Sequence, residues 1–162
     1  MLDHLIMLRH ASYDESQIDG PLNDSGRLQI KQLAYSILSK SLPNFQGVRY
    51  IASNQKRAIQ SAMFLSKELG TRCLPQINGD LWTKREDPMY GVILRNFYED
   101  LSKQEGSVIV LGHKEMFYFF PDFLASEGWT GQKSLGKNCG EGYYFNFKNK
   151  TYEPLTGSQS QK

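Results

Sequence analysis

The feature that most constrains the fold is a short apolar run near the N-terminus, which stops abruptly at two polar residues. Residues 5–8 read Leu-Ile-Met-Leu, and Arg9 and His10 follow at once. An apolar run of this length is typical of a buried strand. Open α/β sheets bind their ligands just beyond the carboxyl ends of their strands. The run therefore predicts a site that contains Arg9 and His10.

Strand-like and helix-like segments alternate along the rest of the chain. Strands are predicted over 5–8, 48–52, 107–111 and 140–147, with at most a short edge strand over 73–75. Helices are predicted from about residue 25 to before Pro43, from a cap at 53–54 to Gly70, and over 92–103 and 115–126. This order predicts an α/β fold: a three-layer sandwich whose largely parallel central sheet is flanked by helices.

Composition narrows the class of protein further. The 162 residues fit one domain, predicted over 1–155 with a polar tail at 156–162, and the net charge is +2. That charge is too small to favour nucleic acid or a membrane surface as partner. The two cysteines are far apart and form no CxxC pair, so we expect free thiols and no zinc. With no signal-like start in the sequence, we expect a cytoplasmic protein; its oligomeric state is not readable.

Three predicted strands end in groups suited to one chemistry. Arg9 and His10 follow the first strand, and His113 follows the strand at 107–111. Ser53 follows the second strand, and Arg57 comes about one helical turn after it. In a parallel sheet these ends lie on one edge. Guanidinium groups match phosphate oxygens in a bidentate manner, and a neutral imidazole is a competent nucleophile. Fixed positive charge of this kind would stabilise phosphoryl transfer without a metal or other cofactor.

Four segments occur in an informative order: LRHA at 8–11, PLNDSGRLQ at 21–29, SNQKRAIQSA at 53–62 and VIVLGH at 108–113. In that order they resemble motifs of the histidine phosphatase superfamily, which has the phosphoglycerate mutase-like fold. They are similar to its arginine-histidine-glycine signature, its proline-leucine helix start, its serine-to-arginine helix and the strand before its second histidine. The resemblance spans nearly the whole chain.

The resemblance implies a role for each matching position. His10 would be the nucleophile that becomes phosphohistidine, while Arg9, Arg57 and His113 would complete the phosphate pocket and Ser53 would support it.

The sequence departs from the family pattern at three places. Ala11 replaces the glycine after the first histidine, and Lys114 follows the second, where it could contact phosphate or point to solvent. The family's proton donor has no clear counterpart because Thr83 stands near its expected position. The segment 78–91 offers three other carboxylates, of which we favour Glu86 over Asp80 and Asp87.

The resulting hypothesis is a metal-independent phosphatase that hydrolyses a phosphomonoester or a phosphohistidine through a phosphohistidine intermediate on His10. The short chain resembles the compact phosphohistidine phosphatases of the superfamily. Its expected partner is a phosphorylated small molecule or a phosphoprotein. Two alternatives stay open: a non-catalytic phosphate-binding relative, and a phosphoglycerate-type mutase, for which the chain is short.

Overall fold

A computed structural model describes residues 1–40, 47–82, 86–133 and 138–156. In these residues the strands are β1 (Leu2–Arg9), β2 (Arg49–Ala52), β3 (Gln76–Ile77), β4 (Gly106–Gly112), β5 (Thr130–Gly131), β6 (Glu141–Asn146) and β7 (Thr151–Thr156). The helices are α1 (Asp24–Ser39), α2 (Lys56–Glu68), α3 (Tyr90–Ser102) and α4 (Lys114–Ser126), with a 3-10 turn at Gly79–Trp82. None of these helices is long and apolar enough to cross a membrane.

The strands of the described residues form a single mixed sheet in the order β3-β2-β4-β1-β6-β7-β5. Neighbours β3, β2, β4 and β1 are parallel, as are β5 and β7, whereas β6 runs antiparallel to both β1 and β7. The predicted α/β fold with a largely parallel central sheet is therefore confirmed.

The apolar run of β1 is continuous because helices cover both faces of the sheet. Leu5 and Met7 belong to the core that α3 and α4 complete, whereas Ile6 and Leu8 belong to the core that α1 and α2 complete. Side chains of a strand alternate between faces, so beyond the irregularity between Leu2 and His4 the even-numbered residues Ile6 and Leu8 point to the α1 and α2 layer. Continued past the strand end, the alternation directs His10 towards α2.

The two helices of this layer begin differently. Of the two residues that could cap α1 from the sequence, Asn23 and Asp24, it is Asn23 that does so: its side-chain oxygen accepts a 2.8 Å hydrogen bond from the amide of Gly26. The predicted cap of α2 at Ser53 and Asn54 is wrong, since the helix starts at Lys56 behind Gln55, which makes no side-chain cap.

The predictions near the sheet edges were the least accurate. The predicted edge strand at 73–75 is wrong; the edge strand is β3, at Gln76–Ile77. The strand predicted at 140–147 is β6, but it is not the last, since β7 follows it and β5 pairs with β7. Pro154 in β7 lies beyond Thr151 and Tyr152, the two residues that pair with β5, so its missing amide costs no hydrogen bond on that side. The polar tail beyond Thr156 lies outside the described residues, and the domain boundaries stay a prediction.

The close packing of α1 against the segment that follows β1 can be tested at one glycine. A Cβ atom at Gly26 would overlap the backbone carbonyl of Ser12, whereas one at Gly91 in α3 would meet nothing within 4 Å. We expect Gly26→Ala to lower the free energy of unfolding by about 1–3 kcal/mol, as overpacking does. Gly91→Ala, the matched control, should be neutral or stabilising by about 0.5–1 kcal/mol. Equal stabilities of the two variants in chemical denaturation would contradict this packing.

Candidate active site

The carboxyl ends of three adjacent parallel strands bring the predicted residues together. The backbone amide of His10 donates to the carbonyl of Gly112 at 3.0 Å, so pairing of β1 with β4 continues one residue past the strand. The amide of Ser53 likewise donates to the carbonyl of Leu111 at 3.0 Å. His113 follows β4 directly and stands at the N-cap position of α4. His10 and His113 consequently face each other, with ring centroids 5.0 Å apart.

The hydrogen bonds of His10 determine which of its ring nitrogens carries the proton. Nδ1 lies 2.9 Å from the carbonyl oxygen of Ala11, which can only accept, so Nδ1 is the protonated nitrogen. Nε2 accepts a 3.2 Å hydrogen bond from Nε of Arg57. This is the tautomer a nucleophile requires, because the lone pair is on Nε2, the nitrogen that faces Arg57, and it becomes free to attack once Arg57 donates to a bound anion instead.

His113 is held by Ser53 in a similar manner. Its Nε2 lies 2.6 Å from the Ser53 hydroxyl, and either atom can be the donor. Ser53 is fully buried, and His10, Arg57 and His113 are each 5% exposed or less. Ser53, which we expected to cap α2, therefore serves the second imidazole.

Burial and neighbouring positive charge keep both imidazoles neutral. Desolvation is the main cause that lowers the pKa of His10 to about 4, and the charges of Arg57 and Arg9 act in the same direction. The hydrogen bond to the Ala11 carbonyl opposes this shift. Burial, followed by the influence of His10 and the two arginines, lowers the pKa of His113 to about 2. A neutral His10 at physiological pH keeps its Nε2 lone pair available.

The loop over 11–22 is anchored to this site by two uncharged side chains from the motifs. Gln29 of α1 accepts from the amide of Ser12 at 2.9 Å, and Gln60 of α2 accepts from the amide of Leu22 at 2.8 Å. Each end of the loop is thereby attached to a different helix.

A third anchor lies next to the nucleophile. The amide of Ala11 donates to the Ser61 hydroxyl at 3.0 Å, and this hydroxyl donates to the carbonyl of Arg57 at 2.7 Å. The residue after His10 is thus connected to the backbone of the arginine that binds His10.

Sequence reasoning missed three residues that border the site. Tyr13 packs edge-on against His10, and its ring centroid lies 4.5 Å from the guanidinium carbon of Arg57. Trp82 packs edge-on against His113 at 4.2 Å, with its ring centroid 5.0 Å from the same carbon. Asp19 accepts from the Lys56 amide at 2.8 Å and lies 3.7 Å from Arg57. Their one sequence signal was position: Tyr13 and Asp19 lie in the loop after His10, and Trp82 lies in the segment 78–91, in which the proton donor was sought.

The remaining predicted residues are placed less closely around the imidazoles. Arg9 is half-buried and its charge acts on both histidines. Lys114 is exposed, with its Nζ atom over the ring of Tyr118. Glu86, Asp80 and Asp87 are exposed, and Thr83 lies outside the described residues. The choice of proton donor stays a prediction.

The assembled groups suit an anion. Two imidazoles, a hydroxyl and a buried guanidinium converge, and Arg9 adds positive charge, so a phosphoryl group would find donors for its oxygens and a lone pair for its phosphorus. The same positive charge disfavours a divalent cation between the two imidazoles.

The protonation states can be tested by titration. In two-bond ¹H–¹⁵N spectra of the protein without ligand, we expect His10 to be neutral at about pH 6, with its proton on Nδ1, and to titrate near pH 4. His113 should stay neutral to still lower pH. His4→Gln removes the signals of the one other histidine and assigns the remaining two sets. A His10 midpoint near the ordinary value of 6.5 would contradict the buried, cation-flanked environment.

The same shifts predict how stability depends on pH. Below about pH 6.5 the unfolded chain takes up protons at these histidines, whereas the folded chain does not until its lower pKa values are reached. The free energy of unfolding should therefore fall as the pH decreases from about 6.5 to 4. Urea denaturation across this range measures the slope, and His10→Gln should make it shallower.

Comparison with known proteins gives a family-model match over part of the chain and a set of solved structures with a similar fold. The family model of the histidine phosphatase superfamily (branch 1) matches residues 5–81, which include His10, Ser53 and Arg57. A search of curated protein sequences found no significant match.

Solved structures share the fold over nearly the whole chain at low identity. The protein histidine phosphatase SixA in complex with tungstate is 13% identical, with a TM-score of 0.70 and coverage of 95% of this chain and 97% of that chain. Phosphoglycerate mutase from Bacillus anthracis is 14% identical, with a TM-score of 0.66 and coverage of 96% and 93%. Mycobacterial glucosyl-3-phosphoglycerate phosphatase in complex with VO3 is 13% identical, with a TM-score of 0.62 and coverage of 97% and 100%. Residues 5–81 are thus similar to the histidine phosphatase superfamily (branch 1), and the described chain shares the phosphoglycerate mutase-like fold of these structures.

Proposed function

We propose that this protein is a metal-independent phosphatase that hydrolyses a phosphomonoester or a phosphohistidine through a phosphohistidine intermediate on His10. The observation that carries the proposal is the pair of hydrogen bonds on the His10 ring. Nδ1 is bound to the Ala11 carbonyl, and the Nε2 lone pair is directed at Arg57. The substrate is a phosphorylated small molecule or a phosphoprotein.

In the first step, the Nε2 lone pair of His10 forms a bond to phosphorus as the bond to the leaving oxygen or nitrogen breaks. The leaving group departs with that bond's electron pair and takes up a proton. Arg57 Nε–H, which donates to Nε2 in the unliganded protein, loses this acceptor and turns to a phosphoryl oxygen. Nδ1–H of His10 keeps its bond to the Ala11 carbonyl, which supports the positive charge on the phosphorylated ring.

In the second step, water attacks phosphorus, the N–P bond breaks, and the electron pair returns to Nε2. His113 lies beside His10 and Ser53 is hydrogen-bonded to His113, so the two can donate to the equatorial oxygens, where negative charge spreads in the transition state. Arg9 adds long-range positive charge. Phosphate leaves, and the neutral imidazole is restored.

Two solved structures of the same fold contain oxyanions, VO3 in the mycobacterial phosphatase and tungstate in SixA. On the proposal made here, vanadate and tungstate bind this protein too, between His10, His113 and Arg57. Binding of such an anion can be measured whether or not the protein turns over a substrate.

Replacing the nucleophile tests the proposal directly. His10→Gln should lower kcat/KM for p-nitrophenyl phosphate and for phosphohistidine by about a thousandfold or more, because no other group supplies the attacking lone pair. His4→Gln is the matched control: His4 is bound to Tyr144 on β6 and should leave the rate unchanged. Rapid alkaline quenching of the wild-type reaction should trap a phosphoryl group on His10 that is stable in base and is lost on acidification.

The same assay separates the alternatives. If the wild type binds vanadate but shows no phosphatase activity that is lost in His10→Gln, the phosphatase proposal is contradicted. That outcome would favour a non-catalytic phosphate-binding protein. Conversion of 3-phosphoglycerate to 2-phosphoglycerate faster than phosphate release would favour a mutase.

The proton donor is tested by the leaving group. If Glu86 protonates the departing oxygen, Glu86→Gln should lower the rate of phenyl phosphate hydrolysis by about a hundredfold, because phenolate leaves poorly without a proton. The loss should be much smaller for p-nitrophenyl phosphate. Asp80→Asn and Asp87→Asn are the matched controls, and a leaving-group-dependent loss in either of them, and not in Glu86→Gln, would assign the role to that residue instead.

A further inference from the structure

Two aromatic side chains that the proposed chemistry does not use stand on either side of the site. Tyr13 contacts His10 and Arg57, and Trp82 contacts His113 and Arg57. We refer to Tyr13 and Trp82 as the aromatic pair. Each ring touches one of the two imidazoles and the guanidinium between them, so the pair borders the anion site on two sides.

The aromatic pair also leads from the buried groups to solvent. His10 and His113 are 3% and 4% exposed, whereas Trp82 is 40% exposed and Tyr13 is half-buried. A phosphoryl group bound by the buried residues must project the rest of its substrate outward. The substrate group that is attached to the phosphoryl group then lies between the site and solvent, next to these two rings.

We propose that the aromatic pair selects substrates in which a planar ring lies next to the phosphoryl group. The phosphorus of such a substrate is bonded either to a ring nitrogen or to a phenolic oxygen on the ring. Such a ring can stack on the exposed face of Trp82 or pack edge-on against Tyr13 while its phosphorus lies at His10. Aromatic contacts of this type require ring centroids about 4.5–7 Å apart, which a ring attached directly to phosphorus can reach.

An alkyl phosphate gains less from the same surface. A sugar or glycerol phosphate places a tetrahedral carbon next to the ester oxygen and hydroxyl-bearing carbons beyond it, and such a chain covers apolar ring surface poorly. The two residues also hold Arg57 by cation–π contacts, so their replacement alters phosphate binding in general. A test of ring selection must therefore compare two ligands in the same variant.

The inference rests on the proposed function, and the test keeps the two apart by using ligands with no leaving group. Phenylphosphonate carries a planar ring on phosphorus, and cyclohexylphosphonate carries a saturated ring of similar size. We expect the wild type to bind phenylphosphonate about threefold to tenfold more tightly in calorimetry or in competition with orthovanadate, the gain typical of one aromatic contact. This preference needs no catalysis.

Single variants measure the contribution of each ring to this preference. Trp82→Leu should remove most of the preference for phenylphosphonate over cyclohexylphosphonate, Tyr13→Leu should reduce it, and Trp82→Phe should keep most of it. Tyr35→Leu, an exposed aromatic residue on α1, is the matched control and should leave both affinities unchanged. Orthovanadate binding reports in each variant whether the anion site is intact.

The outcomes are distinguishable. Equal affinity of the wild type for the two phosphonates, with orthovanadate still bound, would overturn ring selection and leave the phosphatase proposal standing. A phenylphosphonate preference without turnover of any phosphate substrate would support ring selection while the phosphatase proposal fails. A preference that Trp82→Leu and Tyr13→Leu leave unchanged would overturn the role of the aromatic pair.

Rates of hydrolysis then identify which kind of ring the substrate carries. The kcat/KM penalty of Trp82→Leu is compared for N-phosphoimidazole, phenyl phosphate and glycerol phosphate. A penalty largest on N-phosphoimidazole assigns the site to phosphohistidine, and one largest on phenyl phosphate assigns it to an aryl ester such as phosphotyrosine. A penalty as large on glycerol phosphate as on both ring substrates would contradict ring selection.

Discussion

The parallel register of β2, β4 and β1 is the constraint on which the candidate site depends. Leu8 pairs with Leu111 and Ala52 pairs with the same residue from the other side, so the three strands end at one level. Hydrogen bonds to the carbonyls of Leu111 and Gly112 then hold Ser53 and His10 just past those ends. A shift of one residue in either pairing would turn side chains to the opposite face of the sheet and separate the two imidazoles.

Electrostatics within this frame explains why three polar side chains can be buried together. Two protonated imidazoles beside a buried guanidinium would repel each other and lack solvation, so burial and charge lower both histidine pKa values until the rings are neutral. As neutral rings they act as acceptors and donors to Arg57, Ser53 and the Ala11 carbonyl. In the unliganded protein the one carboxylate that the described residues place near Arg57 is that of Asp19, at 3.7 Å, and a bound phosphoryl dianion would add negative charge at the imidazoles themselves.

Much of the fold and part of the site could be predicted because both follow from local sequence. The apolar run of β1, the cap at Asn23 and the four motifs are contiguous patterns, and strand order converts them into proximity. Trp82 could not be predicted, since it reaches His113 from a 3-10 turn in an aperiodic segment. The partner of Ser53 was also missed, because a serine after a strand is an equally good helix cap, and only the position of His113 decides between them. The strand β7 was not predicted; it contains Pro154, a residue unusual in strands, which lies beyond the two residues that pair with β5.

The anchoring of the loop over 11–22 separates two properties that many anion sites combine. Its ends are held by the amide side chains of Gln29 and Gln60, which carry no charge and do not titrate. High ionic strength weakens the attraction between exposed charges and an approaching anion, but it leaves neutral hydrogen bonds of this kind largely unaffected. Salt should therefore change how often a phosphorylated ligand is captured without changing the shape of the site that receives it. Exposed positions of the segment between the two anchors, such as Glu15 and Ile18, can accordingly accept new side chains for new ligands, whereas Tyr13 and Asp19 contact Arg57 and belong to the site.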